Sequence, residues 1–247
     1  NVAQAETLAL SFIDGDTDSG AGVGNDIDTL FVDGLVAGDL TTLVLSGNGH
    51  ISIGDTDSDG TADTSIASTV LQTIDSTSTG NIVLSTTATA TAVSVTTLGG
   101  DDNIATGAGA DTVNVGDGAN WVNSGAGNDT VTSGTGNDIV TSGAGDDVVN
   151  AGDGNNQVVA DTGNDSVTTG AGDDIIYAGL GNDTVVAGDG NDVIFAGDGT
   201  ANAQLEGVDN LDGGAGNDTF RFTYSTVAGQ EGLTSADTVT GGAGNDT

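Results

Sequence analysis

From residue 102 to residue 194 the same nine-residue unit returns eleven times without a slip in register. The stretch SGAGNDTVTSGTGNDIVTSGAGDDVV, Ser124 to Val149, shows it plainly. Each unit closes a glycine-rich turn on Asp102, Asp111, Asn120, Asp129, Asp138, Asp147, Asn156, Asp165, Asp174, Asp183 or Asp192. Two residues later stands a Val or Ile, from Ile104 and Val113 through to Ile194. Two residues before it, from Asp111 on, stands a glycine. A unit this short cannot bury its own apolar side chain, so it must stack on copies of itself.

The spacing predicts how. Alternating glycines let the backbone turn sharply through positive φ. A three-residue strand follows with its middle side chain inward, a slot that suits β-branched residues. Nine residues make one turn and one strand, so two units make an eighteen-residue coil with a turn on each flank. Coils then stack in parallel at about 4.8 Å. The expected fold is all-β: a right-handed parallel β-roll or β-helix solenoid, preceded by an irregular β-helix. Its core is expected to be thin, one aliphatic row per face.

Charge decides what must accompany such a fold. The formal net charge is −36, Arg221 is the only Arg or Lys, and His50 is the only His. Disorder is the usual reading of such a balance, but 35% of the residues are hydrophobic and recur at a fixed period. Self-repulsion of this size opposes compaction, and no lysines are present to relieve it. Turns eighteen residues apart are stacked, which brings their acids together with turn carbonyls in an all-oxygen cage. Six or more oxygen donors suit Ca²⁺. Metal binding is then folding free energy.

The repeat resembles the RTX nonapeptide, G-G-x-G-x-D-x-U-x, a Ca²⁺-binding parallel β-roll motif. Residues 213–221, GGAGNDTFR, match every fixed position, and GGAGNDT at 241–247 begins another copy. Copies from 106 to 200 depart from it with Ser, Thr, Ala or Val at the first position. The resemblance covers roughly 97–247 and adds Asp218 and Asp246 to the expected calcium ligands. It implies export by a type I route with an uncleaved C-terminal signal, which is expected to lie outside this stretch. The chain starts without Met and stops in mid-repeat, which reads as a fragment or a processed product. Its expected divisions are 1–96, an irregular β-rich segment with acidic loops; 97–200, the regular roll; and 201–247, further repeats with an insertion.

Sorting the repeats by parity separates two flanks. One carries Asp111, Asp129, Asp147, Asp165 and Asp183; the other carries Asp102, Asn120, Asp138, Asn156, Asp174 and Asp192. Full calcium occupancy is expected on the first and weaker or altered sites near Asn120 and Asn156, with Asp117, Asp153 and Asp189 as compensating acids. The alternative is that the two asparagines simply cap their turns. Asp161 stands where a glycine is expected. The outward positions that follow the second flank are the more apolar, with Trp121, Ile139, Val159, Ile175, Tyr177, Val193 and Phe195. Such clustering is expected to mark an interface, against the alternative of ordinary scattered surface apolars.

The first hundred residues lose the nine-residue beat but keep extended runs. Two of them align at an offset of 31, Leu43 with Ile74, Ile51 with Ile82 and Ile53 with Leu84. Two acidic loops interrupt them. DTDSDG at 55–60 places Asp55, Asp57 and Asp59 at alternate positions before a glycine, as a calcium loop does; an EF-hand would need Glu where Ile66 stands. DGDTDSG at 14–20 offers Asp14, Asp16 and Asp18 without that glycine. Solvated turns are the alternative for both.

Other functions lose ground on what is missing. Nucleic-acid binding needs Lys or Arg at phosphates, and no apolar run reaches the ~18 residues of a membrane helix. There is no Cys, no G-x-S-x-G and no phosphate-binding glycine loop, so no catalytic residues are expected. The Asn-Asp-Thr/Ser sequons follow from the turn formula and carry no weight. The mixture of irregular β-helix and acidic repeats resembles bacterial surface-layer proteins that carry RTX repeats. That implies a calcium-dependent structural protein of the extracellular cell surface that assembles with itself, with cell-surface polysaccharide as a further candidate partner. The stalk or ligand-binding segment of a large adhesin, and the secretion and folding module of an exported hydrolase or toxin, are the alternatives.

Overall fold

The computed structural model describes residues 6–12, 29–32, 40–47, 50–53, 72–86, 90–197, 207–222 and 236–247. These form twenty-one strands and no helix among the described residues. Successive strands alternate between two sheets, one of eleven strands and one of ten, and every pairing is parallel. This is the parallel β-roll that the period predicts. Thr130, Val131 and Thr132 pair with Val148, Val149 and Asn150, eighteen residues on, in one sheet. Trp121, Val122 and Asn123 pair with Ile139, Val140 and Thr141 in the other.

The irregular N-terminal strands belong to the same two sheets. Strand β5 (Thr73–Ser76) pairs with β7 (Ser94–Thr96), and β6 (Ile82–Ser85) with β8 (Asn103–Ala105). The offset of 31 is realised, with Leu43 beside Ile74, Ile51 beside Ile82 and Ile53 beside Leu84. Their larger side chains fill the interior there, with Leu43, Leu45, Ile51 and Ile82 fully buried.

The interior differs from expectation in one respect. Each repeat sends three side chains inward, not one. Because side chains alternate along extended backbone, the closing acid, the aliphatic residue two places on and a small residue four places on share a face. In one unit these are Asp129, Val131 and Ser133, all buried. The third column reads Thr97, Thr106, Val115, Ser124, Ser133, Ser142, Ala151, Ala160, Thr169, Ala178, Ala187 and Ala196, every one buried. Its hydroxyls are satisfied along the stack: Ser124 Oγ donates to the Ser142 carbonyl at 2.9 Å, and Ser133 Oγ to that of Ala151 at 3.0 Å.

Glycine is required at the corner by contact as well as by conformation. Gly127 has φ of +130°, and a Cβ there would collide with the Gly109 carbonyl of the preceding coil. Asp161 takes the same left-handed backbone, with φ of 75°, where its neighbours in the stack, Gly143 and Gly179, are glycines.

Candidate metal centre

Stacking the corners places the closing residues in two ladders. In each, the side-chain Oδ1 accepts a hydrogen bond from the backbone N–H of the closing residue one coil earlier. On the first flank Asp111 N–H donates to Asp129, Asp129 to Asp147 and Asp147 to Asp165, each at 2.8 Å. On the second, Asp102 N–H donates to Asn120 at 3.0 Å, Asn120 to Asp138 at 2.8 Å and Asp174 to Asp192 at 2.8 Å. The acids therefore point into the roll, with exposures of 0–2% from Asp102 to Asp192.

One oxygen of each carboxylate is thus engaged. The other is not: Oδ2 of Asp102, Asp111, Asp129, Asp138, Asp147, Asp165, Asp174, Asp183, Asp192 and Asp218 is buried without a hydrogen-bond donor. A buried carboxylate oxygen without a partner is costly, and ten in register amount to a missing positive partner. Burial pushes the carboxyls of Asp102, Asp165 and Asp183 up from 3.8 to about 7, and those of Asp129 and Asp192 to about 6; the backbone N–H at Oδ1 offsets part of this. Asp138, Asp147 and Asp174 rise for the same reason. The neighbouring Thr97 hydroxyl gives Asp102 little relief, because it spends its one proton on the Val115 carbonyl at 2.7 Å.

The donors present are hard oxygens. No three His, Cys, Asp or Glu side chains among the described residues form a cluster that could hold a metal, so most ligands at a corner have to be backbone carbonyls of the turn. Carboxylate plus carbonyl ligation at a flexible, all-oxygen site fits Ca²⁺.

The ladders run further than the sequence reading takes them. Asp183 N–H donates to Asp209 Oδ1 at 3.0 Å, 26 residues on, and Asp209 N–H to Asp237 Oδ1 at 2.9 Å, 28 residues on. Asp192, Asp218 and Asp246 repeat those same spacings on the second flank. Two insertions, not one, therefore lengthen the last coils beyond eighteen residues, and both precede a first-flank corner. Gly207, Asp209 and Leu211 keep the glycine–acid–aliphatic spacing, a signal that identifies Asp209; Asp237 has Ser235 in place of the glycine.

A second side-chain ladder, unforeseen from sequence, runs outside the first and in the opposite direction. Asn128 Oδ1 accepts from Asp146 N–H at 3.1 Å, Asp146 from Asn164 at 2.8 Å and Asn164 from Asn182 at 3.0 Å. This gives the first member of each Asn-Asp or Asp-Asp pair its use. Asp117 and Asp153 are exposed and likewise spent on the stack: Asp117 accepts from the Thr135 N–H and hydroxyl, both at 2.9 Å, and Asp153 from Ala171 N–H at 3.0 Å. These bonds hold the Asp117 carboxyl below its ordinary value. Asp14, Asp16, Asp18, Asp55, Asp57 and Asp59 lie outside the described residues.

On the outer face of the ten-stranded sheet, Trp121, Ile139 and Ile175 are each at least 40% exposed, and Val159, Tyr177, Val193 and Phe195 are half-buried. Tyr177 stacks on Phe195 with ring centroids 4.4 Å apart, and the Arg221 guanidinium lies 5.5 Å from the Phe195 centroid. The opposite face is not free of apolar residues either, since Val148 and Val186 are exposed there.

A family model, the RTX calcium-binding nonapeptide repeat (4 copies), matches residues 96–131, 125–158, 132–167, 150–185, 168–200, 205–221 and 231–247, more than half of the chain. No curated protein and no solved structure matches it.

Proposed function

Because the chain belongs to the family of RTX calcium-binding nonapeptide repeats, a calcium-binding structural module, we propose that it is a calcium-dependent structural protein of the bacterial cell surface. In this reading it assembles with its own copies into a surface layer or filament. The observation that carries the calcium dependence is the double ladder of buried, donorless carboxylate oxygens. Bound calcium supplies the positive charge that those oxygens lack. A chain of net charge −36 then folds where calcium is plentiful, outside the cell, and stays open where it is scarce.

Self-assembly is supported by the apolar residues aligned on one outer face, where Trp121 stacks beside Ile139, and Ile175 beside Val193. Small-angle scattering and negative-stain imaging, with calcium and after chelation, test this. Ordered sheets or filaments that form only with calcium, and fail in an Ile175→Asp/Val193→Asp variant that still binds calcium, are the expected result. A calcium-loaded chain that stays monomeric at every concentration refutes self-assembly and favours an adhesin stalk or a secretion module.

One observation favours a ligand-binding reading of the same face. A cavity of about 250 Å³ is lined by Gln157, Val159, Asp161, Tyr177 and Gly179. An aromatic ring beside an amide and a carboxylate suits a sugar ring of cell-surface polysaccharide. Tyr177→Ala is expected to abolish cosedimentation with cell-wall polysaccharide; retention in that variant removes this reading.

A further inference from the structure

The ladder of closing residues on the second flank is interrupted at Asn120 and Asn156, and these amides do what no aspartate in it can. Asn120 Oδ1 accepts from Asp102 N–H at 3.0 Å, the bond every aspartate makes. Its Nδ2 then donates to the turn carbonyls of Gly118 at 3.2 Å and Gly116 at 3.3 Å. Asn156 repeats the arrangement, with Oδ1 on Asp138 N–H at 3.0 Å and Nδ2 donating to Gly152 O at 3.1 Å. Both residues are 2% exposed. Since Oδ1 is pinned by the same bond, Nδ2 stands where an aspartate places its orphaned Oδ2. An aspartate corner therefore gathers acceptors with no proton among them, while an asparagine corner brings two protons to the same carbonyls. The amide cannot be turned over without cost: its NH₂ would face the Asp102 N–H, and its oxygen would face carbonyl oxygens.

We propose that the carboxamides of Asn120 and Asn156 take the place of the cation, so that these two corners hold no Ca²⁺ while the aspartate corners on either side do. The inference rests on the calcium reading above and deepens it. Along this flank Asp102, Asp138 and Asp174 then lie two coils apart, roughly 10 Å at about 4.8 Å per coil, with a neutral, self-satisfied rung between each pair. On this flank the rungs of Asn120 and Asn156 are the ones that need no metal. The first flank, all aspartate from Asp111 to Asp183, has no such rung.

Calcium titration calorimetry and native mass spectrometry on the whole chain test this, with Asn120→Asp, Asn156→Asp and Asp138→Asn. Each Asn→Asp change is expected to add at least one bound calcium and to lower the melting temperature of the metal-free protein. Asp138→Asn is expected to remove at least one and to raise that melting temperature. A wild-type chain that binds no calcium refutes the calcium reading itself. A wild-type chain that binds calcium, with an unchanged count in Asn120→Asp and Asn156→Asp, overturns the present inference alone. Those two variants decide the matter even if Asp138→Asn does not fold.

Discussion

Without calcium, this roll should be an acid-stable fold that neutral pH takes apart. Asp102 is 2% exposed, and burial raises its carboxyl from 3.8 to about 7. A carboxyl whose folded pKa lies above its unfolded one binds more protons when folded. Its destabilising effect is therefore absent below about pH 4, grows as pH rises, and is complete above about pH 7. That rise corresponds to roughly 4 kcal/mol. Asp165 and Asp183 rise to about 7 and Asp129 and Asp192 to about 6, each counting for less where solvent screens it. Asp102 alone offsets much of the ~5–15 kcal/mol that holds a domain folded. Circular dichroism and urea midpoints of dialysed, metal-free protein at constant ionic strength should show β-structure near pH 5 that is lost by pH 8. Saturating calcium should reverse the slope, because protons now compete with the ion: stability is greatest near pH 8 and declines below about pH 7. A metal-free protein whose stability is flat, or increases, from pH 5 to pH 8 would refute the reasoning.

Other perturbations follow from the packing. Gly127→Ala combines a positive φ with a collision against the Gly109 carbonyl; a loss of more than about 2 kcal/mol in the unfolding free energy from calcium-loaded urea denaturation is expected. Asp161→Gly releases the backbone strain at φ of 75° and should raise the same unfolding free energy by about 1 kcal/mol. Ile176→Ala empties a fully buried site at a cost of about 2–5 kcal/mol, visible as a lower melting temperature with calcium present. Ser133→Ala removes the hydroxyl that bonds the Ala151 carbonyl and should cost about 1 kcal/mol by the same measurement.

Much of this molecule was legible because its interactions are local or strictly periodic. An eighteen-residue coil follows from the nine-residue register, and the pairing of Leu43 with Ile74 follows from matching apolar residues at an offset of 31. The acids were recognisable as ligands because nothing in the composition could otherwise neutralise them. Asp209 and Asp237 escaped because the inserted residues break the count by which the other acids were found, although the coil stacks across the insertions regardless. The third buried column, Ser, Thr and Ala apart from Val115, escaped for another reason: small and hydroxyl side chains carry no apolar signal, and only the stacked fold shows that they face inward.

The sequence by itself determined the coil and the parallel pairing through period and glycine spacing, and its oxygen-only ligands with the RTX repeat pointed to Ca²⁺. Only the tertiary structure decided which atom of each acid is spent on the backbone, which is left without a donor, and which corners an amide closes. A carboxylate has two oxygens and a carboxamide has one oxygen and one donor group, and which of them faces the turn is set by the N–H of a residue eighteen positions away.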